Sequence, residues 1–376
     1  MKQIKSNKDV RRQGLWARMG RAAVLFFAFS GCLASPAAAQ TSTGQYMPGV
    51  TPDGAVYFLP KTAVRITVRI EKTTYTPGDF ATYAERFLRL SNVSMDPSVS
   101  YRILNIDQMA VGVRDTSKAY SVKFNNKTSA INMALADDGV LLGVNVEADG
   151  LKLPVPFKAA PKPVAVNPRQ LLNEEILAAG SKAKMAQLTA QEIYDIRDSR
   201  SQLIKGQADF MPKDGDQMKL MLAQLDQQDK ALTSLFAGTQ VCDTTEATFL
   251  ICPKEAVELQ TLFRFSKHFG LVDTDDVSGA PYYYSVEPLT QLPSTDEEQA
   301  AKKKKAENGL YYNVAGKMNF VIYCGNNVVE RKEYPAAQFG NVELLNGDLF
   351  NKHYGTKLWL NPVTGGIDKL EAEQPK

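Results

Sequence analysis

The sequence predicts an α+β protein in which two mainly antiparallel, β-rich units bracket a helical hairpin. Three observations predict it. Apolar and polar residues alternate in the first and last thirds of the chain, the two-residue period of half-buried strands. In the middle third, apolar residues recur at spacings of three and four, the stripe of an amphipathic helix. Between these patterns, five prolines (Pro154, Pro156, Pro161, Pro163 and Pro168) fall within one short stretch, which reads as a semi-extended linker. A length of 376 residues accommodates two such units and a leader at ~150 residues per domain.

The leader comes first. Basic residues run to Arg21, an apolar core spans Ala22 to Phe29, and Ala37-Ala38-Ala39 precedes Gln40. This is the order of a secretory signal, with cleavage expected after Ala39, and the apolar run is far shorter than the ~20 residues of a membrane span. Translation starts at Met1 or at Met19. A rival reading takes Phe29-Ser30-Gly31-Cys32 as a lipobox, which makes Cys32 a lipidation site. The expected segments are a signal peptide at 1–39, a β-rich α+β domain at 40–152, the linker at 153–168, a helical hairpin region at 169–237, and a β-rich domain at 238–376.

In the first β-rich segment, Val64, Ile66, Val68 and Ile70 alternate with Arg65, Thr67 and Arg69 in one strand. A helix is expected next, with Thr76 as N-cap and Pro77 in the first position. Phe80, Tyr83, Ala84, Phe87 and Leu88 would share its apolar face. Three strands follow at Tyr101–Ile106, Ala110–Val113 and Tyr120–Phe124. A hairpin at Ile131–Leu135 and Val140–Val146 turns through Asp137-Asp138-Gly139. In the helical region, Thr189 is expected to cap a helix, with Glu192 closing a capping box and Ile193, Ile196, Leu203 and Ile204 forming its stripe. Met211 to Gly215 reads as a turn into a further helix carrying Met218, Leu222, Leu225, Leu232 and Phe236. The last third is β-rich, with hairpins turned by Gly325-Asn326-Asn327 and by Pro362 to Gly366. A charged excursion near 294–308, with Lys302 to Lys305, reads as a solvated stretch. Gly54-Ala55-Val56-Tyr57 and Gly309-Leu310-Tyr311-Tyr312 both lead into strands, but the lengths that follow differ, so they do not establish a repeat.

Composition narrows the function classes. Residues 1–39 hold seven of the 44 Lys/Arg and one of the 41 Asp/Glu, leaving 37 bases and 40 acids, a net charge near −3. A nucleic-acid partner calls for the opposite balance. His268 and His353 are the two histidines, and neither has a second His or Cys at ligand spacing. No catalytic, cofactor-binding or metal-binding residue is assigned, and no cofactor is expected. Asp273, Asp275 and Asp276 are the densest acidic cluster. Val277 and Ser278 stand where a calcium loop of the EF-hand kind needs an oxygen ligand and Gly, so the cluster reads as a turn. Tyr282-Tyr283-Tyr284 and Tyr311-Tyr312 suit half-buried packing, with ligand stacking as the alternative. Of the cysteines beyond the leader, Cys242 and Cys252 lie far apart along one extended stretch and pair only if that stretch folds back on itself. A disulfide between Cys252 and Cys324 is one expectation, and three buried thiols is the other.

Several stretches together resemble a known family. They are Tyr57-Phe58-Leu59-Pro60-Lys61-Thr62-Ala63, Glu71 to Gly78, Phe80 to Leu90, Ile193 to Arg200 and Thr261 to Ser266. Ala337-Gln338-Phe339-Gly340 and Asn361-Pro362-Val363-Thr364-Gly365 complete the set. They are similar, in order and over nearly the whole mature chain, to the domain of unknown function 4831 family, exported proteins of Bacteroides and its relatives. The resemblance implies an export signal and a place in the periplasm or at the outer membrane, and it brings no catalytic residue. The expected function is binding or scaffolding, with another envelope protein or a glycan as partner. The alternatives are a carboxylate-dependent, carbohydrate-active enzyme and a lipoprotein subunit of an envelope complex.

Overall fold

The computed structural model describes residues 42–45, 55–123, 132–159, 161, 166–212, 214–290, 309–350 and 355–373. Residues 1–39, where a signal peptide is expected, with Cys32 and Ala39, the charged excursion near 294–308 and His353 lie outside them. The described chain forms β1 (Ser42–Gln45), β2 (Ala55–Thr76), α1 (Ala84–Leu88), β3 (Ser98–Lys123), β4 (Met133–Leu135) and β5 (Leu141–Val144). Then come α2 (Glu174–Leu177), α3 (Lys182–Lys205), α4 (Gly215–Ala237), β6 (Thr239–Ile251), β7 (Val257–Ser266), β8 (Gly270–Val272) and β9 (Ala280–Pro288). The chain closes with β10 (Gly309–Cys324), β11 (Asn327–Asn346), β12 (Gly355–Leu360) and β13 (Ile367–Glu373). This is the β-rich α+β class the sequence predicts.

The strands make three sheets in which every ladder is antiparallel. Their orders are β1-β3-β2-β6, β11-β10-β9-β7-β8 and β13-β12-β5-β4. Two of the three mix strands from before and after the helices, because β6 pairs with β2 and β12 pairs with β5. The segments 40–152 and 238–376 therefore share sheets, and residues 40–376 form one compact unit.

The alternation in β2 sets the main core. Val64, Ile66, Val68 and Ile70 are buried against Phe263, Phe265, Met318, Phe320 and Ile322 of the second sheet. Arg65, Thr67 and Arg69 turn to the other face, as period two requires. The first two sheets cross. Tyr101 of β3 donates its N–H to the Lys267 carbonyl in the β7–β8 turn (2.8 Å). Seven residues on, Gln108 meets Lys332 of β11. β3 thus traverses the second sheet from its β8 edge to its β11 edge. A second core, around Tyr57, Leu59, Leu141, Leu310, Leu358 and Leu360, joins the third sheet to the starts of β2 and β10.

Three local expectations are corrected. The three strands expected between Tyr101 and Phe124 are one continuous β3, because β2 offers a ladder partner from Ala55 to Tyr75. Thr76 ends β2 rather than capping a helix. The chain at Gly78 presses on the end of α4, where an added Cβ would lie 2.2 Å from the Leu235 carbonyl, and regular helix starts only at Ala84. The apolar stripe survives the change, since Phe80, Ala84 and Leu88 are buried against α3 and α4. Thr189 lies inside α3, its hydroxyl donating to the Met185 carbonyl (2.8 Å), and Ser181 is the cap, accepting from Lys184 N–H (3.3 Å). α3 and α4 form the expected hairpin, with Asp214 capping α4 and ion pairs Arg197–Asp229 (3.0 Å) and Arg200–Asp226 (2.6 Å) across it.

Candidate functional site

Three of the family-like stretches, Tyr57–Ala63, Ala337–Gly340 and Asn361–Gly365, converge where β2, β3, β10, β11 and the β12–β13 turn meet. Thr62, on β2 and fully buried, is bracketed by Gln338 of β11. Its N–H donates to Gln338 Oε1 (3.0 Å), and Gln338 Nε2 donates back to the Thr62 carbonyl (2.8 Å) and to the Pro253 carbonyl (3.1 Å). The Thr62 hydroxyl accepts from Ala337 N–H (3.2 Å) and donates to the Val363 carbonyl (3.3 Å). Local backbone chemistry holds the opposing turn. Asn361 Oδ1 accepts from the N–H groups of Val363 (2.9 Å) and Thr364 (3.1 Å), an Asx turn. Gly365 follows at φ +71°, a conformation Gly adopts without strain, and a Cβ there would stand 2.6 Å from Pro60 Cδ.

Asn313 extends this joint on β10. It is fully buried, and its Nδ2 donates to the carbonyls of Pro60 (2.9 Å) and Thr364 (2.7 Å). Its Oδ1 accepts from Lys118 Nζ of β3 (3.2 Å). Two residues away on each strand, and so on the same faces, Tyr120 and Tyr311 stack with centroids 4.4 Å apart. Tyr57 completes the aromatic group: its hydroxyl accepts from Tyr311 N–H (2.8 Å), and its ring lies 5.7 Å from Tyr120. Burial pushes the Tyr57 and Tyr120 phenols up, and neighbouring phenols add to the shift. Lys118 moves the opposite way. Desolvation lowers its ammonium pKa, and Asp115 only partly offsets this.

The arrangement pairs nearly every polar group with a backbone partner, so its chemistry is that of a joint which fixes three sheets together. Lys118 is its titratable member at the edge of solvent.

The other sequence-singled residues lie elsewhere. Asp276 caps Ser278 N–H (2.8 Å) in the turn after β8, and that backbone bond, with one to the Ser278 side chain, lowers its carboxyl pKa. Among the described residues no group of three His, Cys, Asp or Glu side chains could hold a metal ion. His268 is exposed in the β7–β8 turn. Tyr282 stacks on Phe263 (4.6 Å) and Tyr284 on Phe320 (5.5 Å), the packing role. Burial, aided by the Cys324 side chain, pushes the Tyr282 phenol up to about 12.

Cys242, Cys252 and Cys324 are free, with Cys242 exposed and the other two half-buried, so the structure shows neither the Cys252–Cys324 bridge nor three buried thiols. Cys252 precedes Pro253 at the joint, level with Gly316 on β10, whose partner Ala336 is two residues from Gln338. Cys324 lies eight residues beyond Gly316 along β10, a run of roughly 26 Å at ~3.3 Å per residue, where a disulfide spans ~7 Å between Cα atoms. Burial raises the Cys252 thiol, whereas Cys242 is exposed on β6.

Thr62 and Gln338 stand in family-like stretches with no role assigned from sequence, and no local motif marks Asn313 or Lys118. The available signal was one of phase: Thr62 and Asn313 are polar residues at fully buried strand positions. No described helix is long and apolar enough to cross a membrane. In comparisons with known proteins, a family model described as a domain of unknown function (DUF4831) matches residues 53–368. Neither the curated proteins nor the solved structures give a match.

Proposed function

This chain belongs to the DUF4831 family, and from that premise we propose that it is an exported cell-envelope protein that binds or scaffolds rather than catalyses. One observation carries the reading. Three of the stretches that mark the family put Thr62, Gln338, Thr364 and Gly365 into a buried joint that locks sheets to one another. Residues held in that way maintain a rigid β framework, which suits presenting a surface to a partner. The leader at 1–39 supports export to the periplasm or the outer membrane.

Intact mass of the protein isolated from its native envelope tests the export half. A chain beginning at Gln40 supports a signal-cleaved protein, and an acylated Cys32 supports a lipid-tethered one. A chain still beginning at Met1 or Met19 overturns export. For the binding half, affinity capture from the same envelope with the folded protein should return a glycan or an envelope protein. Loss of that capture in a variant whose fold is intact would locate the surface.

A further inference from the structure

We propose that Gln108, Glu330 and Tyr334 form a built site for a hydroxyl group at the seam between β3 and β11. Among the described residues both strands are sheet edges there: β1 pairs with β3 only at Tyr120–Lys123, and β11 ends the second sheet. Gln108 pairs with Ile66 and therefore faces the core, where it is 5% exposed. Among the described residues, neither its amide nitrogen nor its amide oxygen has a hydrogen-bond partner. Glu330 Oε2 and the Tyr334 hydroxyl are buried and unpartnered in the same way.

These groups line one seam. Glu330, Lys332 and Tyr334 alternate on one face of β11, opposite Ile322, Phe320 and Met318. Lys332 ties that face to β3, its Nζ lying 2.6 Å from Glu330 Oε1 and donating to the Gln108 carbonyl (3.3 Å). Burial and the Glu330 charge raise the Tyr334 phenol far above its ordinary value, so it stays protonated and able to donate. The seam therefore presents one amide donor, one amide acceptor, one carboxylate acceptor and one phenol. Water donates twice and accepts twice and so can match the whole set, while a sugar hydroxyl accepts from the donors and donates its one proton to one of the two acceptors. An ion of either sign would leave part of the set unmatched.

The side chains of Lys332 and Glu330 are 45% and 20% exposed, so the site opens to solvent on their side. The hydroxyl comes from water or from a sugar. Water in such a site needs two to four polar partners, and four unpartnered buried polar atoms line this seam.

The test uses crystals of the mature protein grown with and without D-glucose, together with urea unfolding of Gln108→Leu and Tyr334→Phe. The expected result is an ordered oxygen within hydrogen-bond reach of Gln108 and Glu330. A lone water in both crystals assigns the source as solvent, and a glucose hydroxyl in its place assigns it as sugar. Gln108→Leu is expected to raise the unfolding equilibrium constant about tenfold, because a satisfied amide is lost and the bound oxygen loses partners. The proposal is overturned if no oxygen is seen there, or if Gln108→Leu is as stable as the parent or more so. The crystals decide the question even where a variant fails to fold.

Discussion

Replacing Gln338 with leucine removes the side chain that brackets Thr62 and leaves its volume nearly unchanged. Three backbone groups lose their partner: the Thr62 N–H, the Thr62 carbonyl and the Pro253 carbonyl. Thr62 is fully exposed to this loss, since no water reaches a residue with 0% accessible surface. An orphaned buried group costs ~1–3 kcal/mol. Gln338 itself is only half-buried, so the low end applies and the total is about 3 kcal/mol. With an m value of about 3 kcal/mol/M in urea, the midpoint should fall by about 1 M. Circular dichroism and Trp359 fluorescence followed through the same titration would measure it. Thr62→Ser, which keeps the hydroxyl, should stay near the parent, while Thr62→Val should fall. A Gln338→Leu midpoint within about 0.2 M of the parent would refute the joint as a stabilising element.

Other outcomes follow from the same geometry. Gly112→Ala would place a Cβ 2.0 Å from the Pro362 carbonyl, and Gly365→Ala would add strain at positive φ; each should lower the melting temperature by several degrees in calorimetry. Asp214→Ala removes the cap of α4 and should cost about 1 kcal/mol in chemical unfolding. Lys118 has a lowered folded pKa, so the unfolded chain binds more protons between that value and ~10.4. Stability should rise with pH across that window, and Lys118→Met should flatten the rise. Tyr57, Tyr120, Tyr282 and Tyr334 have raised folded pKa values. Their stability is complete below ~10 and is lost as pH climbs above it, so phenolate absorbance should appear later in the native protein than in urea. Unfolded protein without reductant should take up iodoacetamide at each of Cys242, Cys252 and Cys324, with Cys242 the fastest to react in the native state.

The turns, strand phases and helical stripes were legible because each depends on neighbours within a few residues. The Gly325-Asn326 turn, the Asp137-Asp138-Gly139 turn and the α3–α4 hairpin stand where the local pattern puts them. Thr76 and Thr189 misled for the same reason. Each has a capping residue's chemistry, but one is held in a ladder with Thr239 and the other lies eight residues inside a helix that begins earlier. A local signal competes with tertiary contacts and loses where the contacts are more extensive.

By itself, the sequence determined the class of fold, the alternation that buries Val64, Ile66, Val68 and Ile70, and the family to which the chain belongs. Tertiary structure alone decided that β6 joins β2 and β12 joins β5, that Cys252 and Cys324 stand apart, and that Thr62, Asn313, Gln338 and Thr364 meet. The physical reason is range. Period and propensity are properties of a few adjacent residues, whereas a hydrogen bond across 276 positions, such as that from Thr62 to Gln338, exists only once the sheets have crossed.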